Sequence, residues 1–93
     1  MPHAWIEFSH NIAQDPEIQS LGSAMHQAML DSGIFPLAGI RIRLLPIEHA
    51  LIADGNPANA FVHIVLRIGH GRDEDTKKAV ADKIFATLTR HLA

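Results

Sequence analysis

Phe61-Val62-His63-Ile64-Val65-Leu66-Arg67-Ile68 is the stretch from which the fold is read. Val62, Ile64, Leu66 and Ile68 fall on one side of an extended chain, and Phe61, His63, Val65 and Arg67 on the other. This period of two, rich in β-branched residues, predicts a strand with one wholly apolar face. Beyond it, Gly69-His70-Gly71-Arg72 forms a tight loop, and Asp73 is the N-cap of a helix. Glu74 and Asp75 suit the positive end of that helix. Its apolar stripe is Val80, Ile84, Leu88 and Leu92, widened by Ala81 and Phe85.

Upstream the same order appears. A first strand covers about residues 3–8, with Ala4, Ile6 and Phe8 opposing His3, Trp5 and Glu7. Asp15-Pro16-Glu17 starts a helix, with Asp as cap and Pro at the first helical position. Ile18, Leu21, Met25, Ala28 and Met29 continue at helical spacing, and Gly33 is the natural stop. Residues 35–39 connect to a strand from Ile40 to Leu45 that ends at Pro46. There Ile40, Ile42 and Leu44 oppose Arg41, Arg43 and Leu45. An irregular excursion follows, turning at Asp54-Gly55-Asn56-Pro57.

The chain is thus a single domain: a β-α-β unit over about 2–46, a connector over about 47–59, and an incomplete second unit over about 60–93. A complete second unit needs a strand after Leu92, so the last strand is expected to be missing from these 93 residues. The apolar strand faces should carry both helices. The opposite face mixes Trp5, Phe61, Val65 and Leu45 with Arg41, Arg43, Arg67 and Glu7. A solvated face does not need that apolar area, and a core does not hold that charge. Such a mixture suits a subunit interface.

Composition narrows the function. At 47% hydrophobic residues the chain can build a core. It has no cysteine, hence neither a disulfide framework nor a thiolate nucleophile. A net charge of −2 gives no basic footprint for nucleic acid. No apolar run is long enough for a membrane span, and a cytoplasmic protein is expected. The seven histidines form no pair four residues apart on either helix. Only His3 and His63 share a strand face, and no metal is expected. Gly69-His70-Gly71 lacks the third glycine of a dinucleotide fingerprint, because position 74 is Glu. No serine has the setting of a nucleophile elbow.

Two features carry chemistry. If Met1 is removed, the Pro2 nitrogen is a secondary amine. An α-amino group titrates near 7.7–8.0, so such a nitrogen can act as a base at neutral pH. Arg41, Arg43 and Arg72 can grip carboxylates bidentately and stay charged throughout.

The ordered motifs Phe35-Pro36-Leu37-Ala38-Gly39-Ile40-Arg41-Ile42-Arg43, Ala53-Asp54-Gly55-Asn56-Pro57, Phe61-Val62-His63 and Leu66-Arg67-Ile68-Gly69-His70-Gly71-Arg72-Asp73-Glu74, with Pro2-His3 and Glu7, resemble the 5-carboxymethyl-2-hydroxymuconate isomerase family. That family belongs to the tautomerase superfamily, with 4-oxalocrotonate tautomerase and macrophage migration inhibitory factor. The resemblance implies an α+β fold: tandem β-α-β repeats in one four-stranded mixed sheet, with two helices on one face. It implies a homotrimer packed through the sheet faces. It also implies a cofactor-free 1,3-proton shift on an unsaturated, multiply carboxylated 2-hydroxy acid, in bacterial breakdown of homoprotocatechuate derived from 4-hydroxyphenylacetate.

By the same resemblance Pro2 is the catalytic base, and Arg41 and Arg72 bind the substrate. Arg43, His63 and Arg67 are further candidates for the site lining. The second unit begins in mid-chain with no free amine, so one working site per chain is expected. Two other readings remain open: a trimeric binding protein of the same fold without catalysis, and a tautomerase acting on a different enol acid.

Overall fold

The computed structural model describes residues 2–68 and 74–92. Three strands form one mixed sheet in the order β2-β1-β3. The central strand β1 (His3–Ser9) runs parallel to β2 (Arg41–Ile47) and antiparallel to β3 (Val62–Arg67). The register joins Ala4 to Ile42 and Leu66, Ile6 to Leu44 and Ile64, and Phe8 to Pro46 and Val62. The apolar sides of all three strands therefore fall on one face, as their alternation predicts.

That face is covered by helix. Ala4, Ile6 and Phe8 are buried in one cluster with Leu21, Met25, Ala28 and Met29 of α2 (Leu21–Asp31) and Val80, Ile84 and Leu88 of α3 (Glu74–Leu92). The core is centred on β1. On the edge strand β2, Ile42 is only half-buried and Leu44 is 37% exposed. Gly22 lets α2 approach this strand closely, since a Cβ there would lie 2.5 Å from Leu44 Cδ1.

Several boundaries differ from the sequence reading. The first helix is split: α1 (Pro16–Gln19) and α2 meet at Ser20. Asp15 does cap α1, its Oδ1 accepting from the Glu17 amide at 2.8 Å. Gly33, at φ +75°, stands just past the end of α2, the position where glycine is favoured. β2 runs through Pro46 to Ile47. A proline lacks the ladder donor, and an edge strand tolerates that loss on its outer side. Phe85 does not widen the α3 stripe. It is 72% exposed, and Ala81 is exposed too, because Val80, Ile84 and Leu88 alone cover the seam. The Asp73 cap, the loop 69–72 and the Leu92 side chain lie outside the described residues.

The helices are tied to each other at both ends. Lys83 Nζ donates to the Asp31 carbonyl at 2.8 Å, a cation at the negative end of α2. His91 Nε2 lies 2.8 Å from Ser20 Oγ and 2.9 Å from the Glu17 carbonyl oxygen. The excursion 47–59 is also anchored. Asn11 Nδ2 donates to the carbonyls of Asn59 at 2.8 Å and Pro57 at 3.2 Å. Asp54 accepts from the Asn56 amide and from Asn59 Nδ2, and these bonds hold its carboxyl below the usual range.

Candidate active site

Pro2 stands at the head of the central strand and is buried. Its carbonyl accepts from the Arg41 amide at 3.1 Å, the first rung between β1 and β2. Pro2 and Arg41 are therefore held at the same end of the sheet by backbone alone. The short 3-10 turn Leu37–Gly39 delivers the chain to this point, and Ile40, buried, fixes the entry of β2. The Arg41 side chain is exposed. Its Nη1 donates to the carbonyls of Ala38 at 2.7 Å and Ile40 at 2.9 Å. That leaves Nε and Nη2 as donors on the guanidinium fork.

The other sheet face carries three rows of side chains. His3, Arg41 and Arg67 make the row next to Pro2; Trp5, Arg43 and Val65 make the second; Glu7, Leu45 and His63 make the third. Trp5 is the hub. The His3 ring stacks on it at 5.6 Å, and the guanidinium carbons of Arg43 and Arg67 lie 5.0 Å and 5.6 Å from its ring centroid. Arg43 Nη1 sits 3.2 Å from His3 Nδ1. A guanidinium only donates, so Nδ1 accepts and the His3 proton is assigned to Nε2. Partial loss of solvent and then the nearby Arg43 cation lower the His3 pKa below its usual value.

The expected site residues thus separate into groups. Pro2 and Arg41 are brought together. Arg67 joins them through its row, and Arg43 lies one row further along. His63 stands at the opposite end of the face, 3.7 Å from Glu7. Four residues of strand, about 13 Å, separate it from the row that holds His3, so these two histidines share a face without meeting. Arg72 lies outside the described residues. No group of three or more metal-ligating side chains occurs among the described residues. None of their helices is long and apolar enough to cross a membrane. The stacked Trp5 cluster was not foreseen, although the register could have suggested it once Trp5, Arg43 and Arg67 were placed on one face.

A model of the 5-carboxymethyl-2-hydroxymuconate isomerase family matches residues 2–93. The chain belongs to that family. It is 34% identical over 93 residues to the 5-carboxymethyl-2-hydroxymuconate Delta-isomerase of Escherichia coli, spanning all of this chain and 74% of that protein. A crystal structure of a 5-carboxymethyl-2-hydroxymuconate isomerase from Deinococcus radiodurans R1 superposes with a TM-score of 0.85 at 39% identity, covering 97% of this chain and 68% of that one. A crystal structure of a 5-carboxymethyl-2-hydroxymuconate delta-isomerase gives 0.87 at 30% identity, covering 99% and 71%. The isomerase family thus accounts for the whole described fold. The chain is an isomerase. It has the tautomerase fold, shared with a fused 4-OT at a TM-score of 0.69 and 20% identity, covering 97% of this chain and 73% of that one, and three strands of its sheet lie within the described residues.

Proposed function

We propose that this isomerase moves a proton along an unsaturated 2-hydroxy polycarboxylic acid of the 5-carboxymethyl-2-hydroxymuconate type, with the Pro2 nitrogen as base. The reaction would serve the cytoplasmic breakdown of homoprotocatechuate derived from 4-hydroxyphenylacetate. The observation that carries the reading is the rung between Pro2 and Arg41, which sets a candidate base beside a candidate carboxylate clamp. Family membership supports the substrate class.

The steps follow from the groups. The neutral Pro2 nitrogen takes the proton of the 2-hydroxyl, leaving a dienolate. The same nitrogen, now charged, returns a proton to a carbon further along the chain, and the enol becomes a ketone. Arg41 and Arg72 hold the carboxylates and stabilise the charge that spreads over the dienolate. Fixing a flat substrate between them lowers the barrier further by orientation. The chemistry requires removal of Met1, because an acylated proline nitrogen is an amide and cannot accept the proton.

We further infer that three copies assemble through the open sheet face. Its mixture of Trp5, Leu45, Val65 and Ile47 with charge supports that reading.

The test follows the ultraviolet absorbance of 5-carboxymethyl-2-hydroxymuconate with the wild type and Pro2→Ala, each checked by intact mass for loss of Met1. General-base loss is expected to lower kcat by about 100-fold or more. Equal rates in the two proteins would remove Pro2 from the mechanism.

A further inference from the structure

Arg41 differs from the other arginines of the sheet in what holds it. Arg43 and Arg67 lie on the Trp5 ring. Arg41 turns back to the chain that delivers it, its Nη1 donating to the Ala38 carbonyl at 2.7 Å and the Ile40 carbonyl at 2.9 Å. Ala38 lies in the 3-10 turn Leu37–Gly39, and Ile40 is the cap that ends it.

That turn is firmly held. Pro36 opens it at φ −63°, the value its ring imposes. The Gly39 amide donates to the Pro36 carbonyl at 3.0 Å, and the Ile40 amide to that of Leu37 at 3.4 Å. Phe35 on one side and Ile40 on the other are buried in the core cluster, so the exposed residues 36–38 are anchored at both ends. All of these contacts lie within one chain, and none depends on what covers the sheet face.

The bonding at Nη1 decides which edge of the guanidinium remains. Nη1 has two hydrogens, and two carbonyls take them. The edge shared by Nη1 and Nη2 is thereby closed to a chelating ligand. The side edge, Nε with Nη2, keeps two parallel donors that match the two oxygens of one carboxylate. A guanidinium fixed before its ligand arrives loses little rotamer freedom on binding.

We propose that the segment from Pro36 to Gly39 is a positioning element for the substrate: it holds Arg41 by Nη1 and presents the Nε–Nη2 edge to one carboxylate, side-on and in the guanidinium plane. The inference rests on the reading of Arg41 as a substrate clamp and adds what orients it. Pro36 is then a positioning residue, acting through the carbonyls of Ala38 and Ile40.

The test is a double-mutant cycle on the isomerisation of 5-carboxymethyl-2-hydroxymuconate, with circular dichroism confirming each fold. Pro36→Gly frees the dihedral that starts the turn and should lower kcat/KM by about fivefold or more, mostly through KM. Pro36→Ala frees it less, should fall between, and serves for the same cycle if glycine disturbs the fold. In the Arg41→Ala background either change at Pro36 should cost less than about twofold, because no guanidinium is left to position. Nitrogen NMR of the unliganded protein gives a readout apart from activity. Separate Arg41 Nη1 and Nη2 signals are expected in the wild type, since bonding to the turn slows their exchange, and they should merge in Pro36→Gly. Equal losses with and without Arg41, no loss in the Pro36 variants, or one averaged Nη signal in the wild type each overturn the proposal and leave the clamp standing. Wild-type kinetics in Arg41→Ala would remove the clamp itself, and the proposal with it.

Discussion

The amide of Arg41 donates to the carbonyl of Pro2 at 3.1 Å, so their spacing is set by backbone and not by either side chain. Replacing the Arg41 side chain should leave the rung intact. We expect Arg41→Ala to fold normally by circular dichroism and to lose about 10- to 100-fold in kcat/KM for the muconate substrate. Arg41→Lys keeps the charge but not the fork, and should fall between the two. Wild-type kinetics in Arg41→Ala would take this residue out of the substrate grip.

Neighbours on α3 offer a sharp contrast in stability. Ile84 is buried and Phe85 is 72% exposed. Urea denaturation should show Ile84→Ala destabilised by about 2–4 kcal/mol, through lost burial and the cavity left behind. Phe85→Ala should change stability by no more than about 0.5 kcal/mol. Comparable losses in both would mean that Phe85 is covered in solution, and sedimentation velocity would then be the next measurement.

Phe85 also shows where sequence patterns run out. The period of two placed residues 3–8, 41–45 and 62–67 on their proper faces, because each of these runs has one uninterrupted apolar side. Helical periodicity is less selective. Phe85 is adjacent to Ile84, and hydrophobicity alone does not show how wide a stripe the sheet can cover. The candidate site was legible as residue types: an amino-terminal proline and arginines on one strand face. Its geometry was not. That Arg41 turns back to Ala38 and Ile40 while Arg43 and Arg67 lie on Trp5 depends on strand register and on rotamers, which residue spacing does not encode.

Gly22 tests the close approach of α2 to β2. Alanine there removes the helix-propensity penalty of glycine, about 1 kcal/mol. Its Cβ meets the far end of Leu44, a side chain 37% exposed and able to turn aside at a cost of about 0.5–1.5 kcal/mol. The two effects nearly cancel, so Gly22→Ala should keep its urea midpoint close to that of the wild type. Gly22→Val, bulkier and β-branched, should be clearly less stable. If valine is tolerated as well as alanine, the two elements are further apart in solution.

His3 gives a pH dependence of defined sign. Its pKa is lowered in the folded chain, by partial loss of solvent and then by Arg43, below the 6.5 of a free imidazole. Between the folded pKa and 6.5 the unfolded chain binds more protons, so stability rises with pH across that window and falls on acidification. His3→Gln removes the titration while keeping an acceptor for Arg43. Thermal melts at falling pH should therefore show the wild type losing more stability than His3→Gln below 6.5. Parallel losses would mean that His3 titrates normally in the folded state.

The central place of β1 sets the order in which the molecule can form. Its partners are residues 41–47 on one side and 62–67 on the other. During synthesis β1 leaves the ribosome ahead of both, and Ala4, Ile6 and Phe8 have no complete sheet to enter until residue 67 has followed. At ordinary elongation rates that wait is on the order of several seconds. Among the described strands, β1 is thus made before both of its partners and has to wait for each of them.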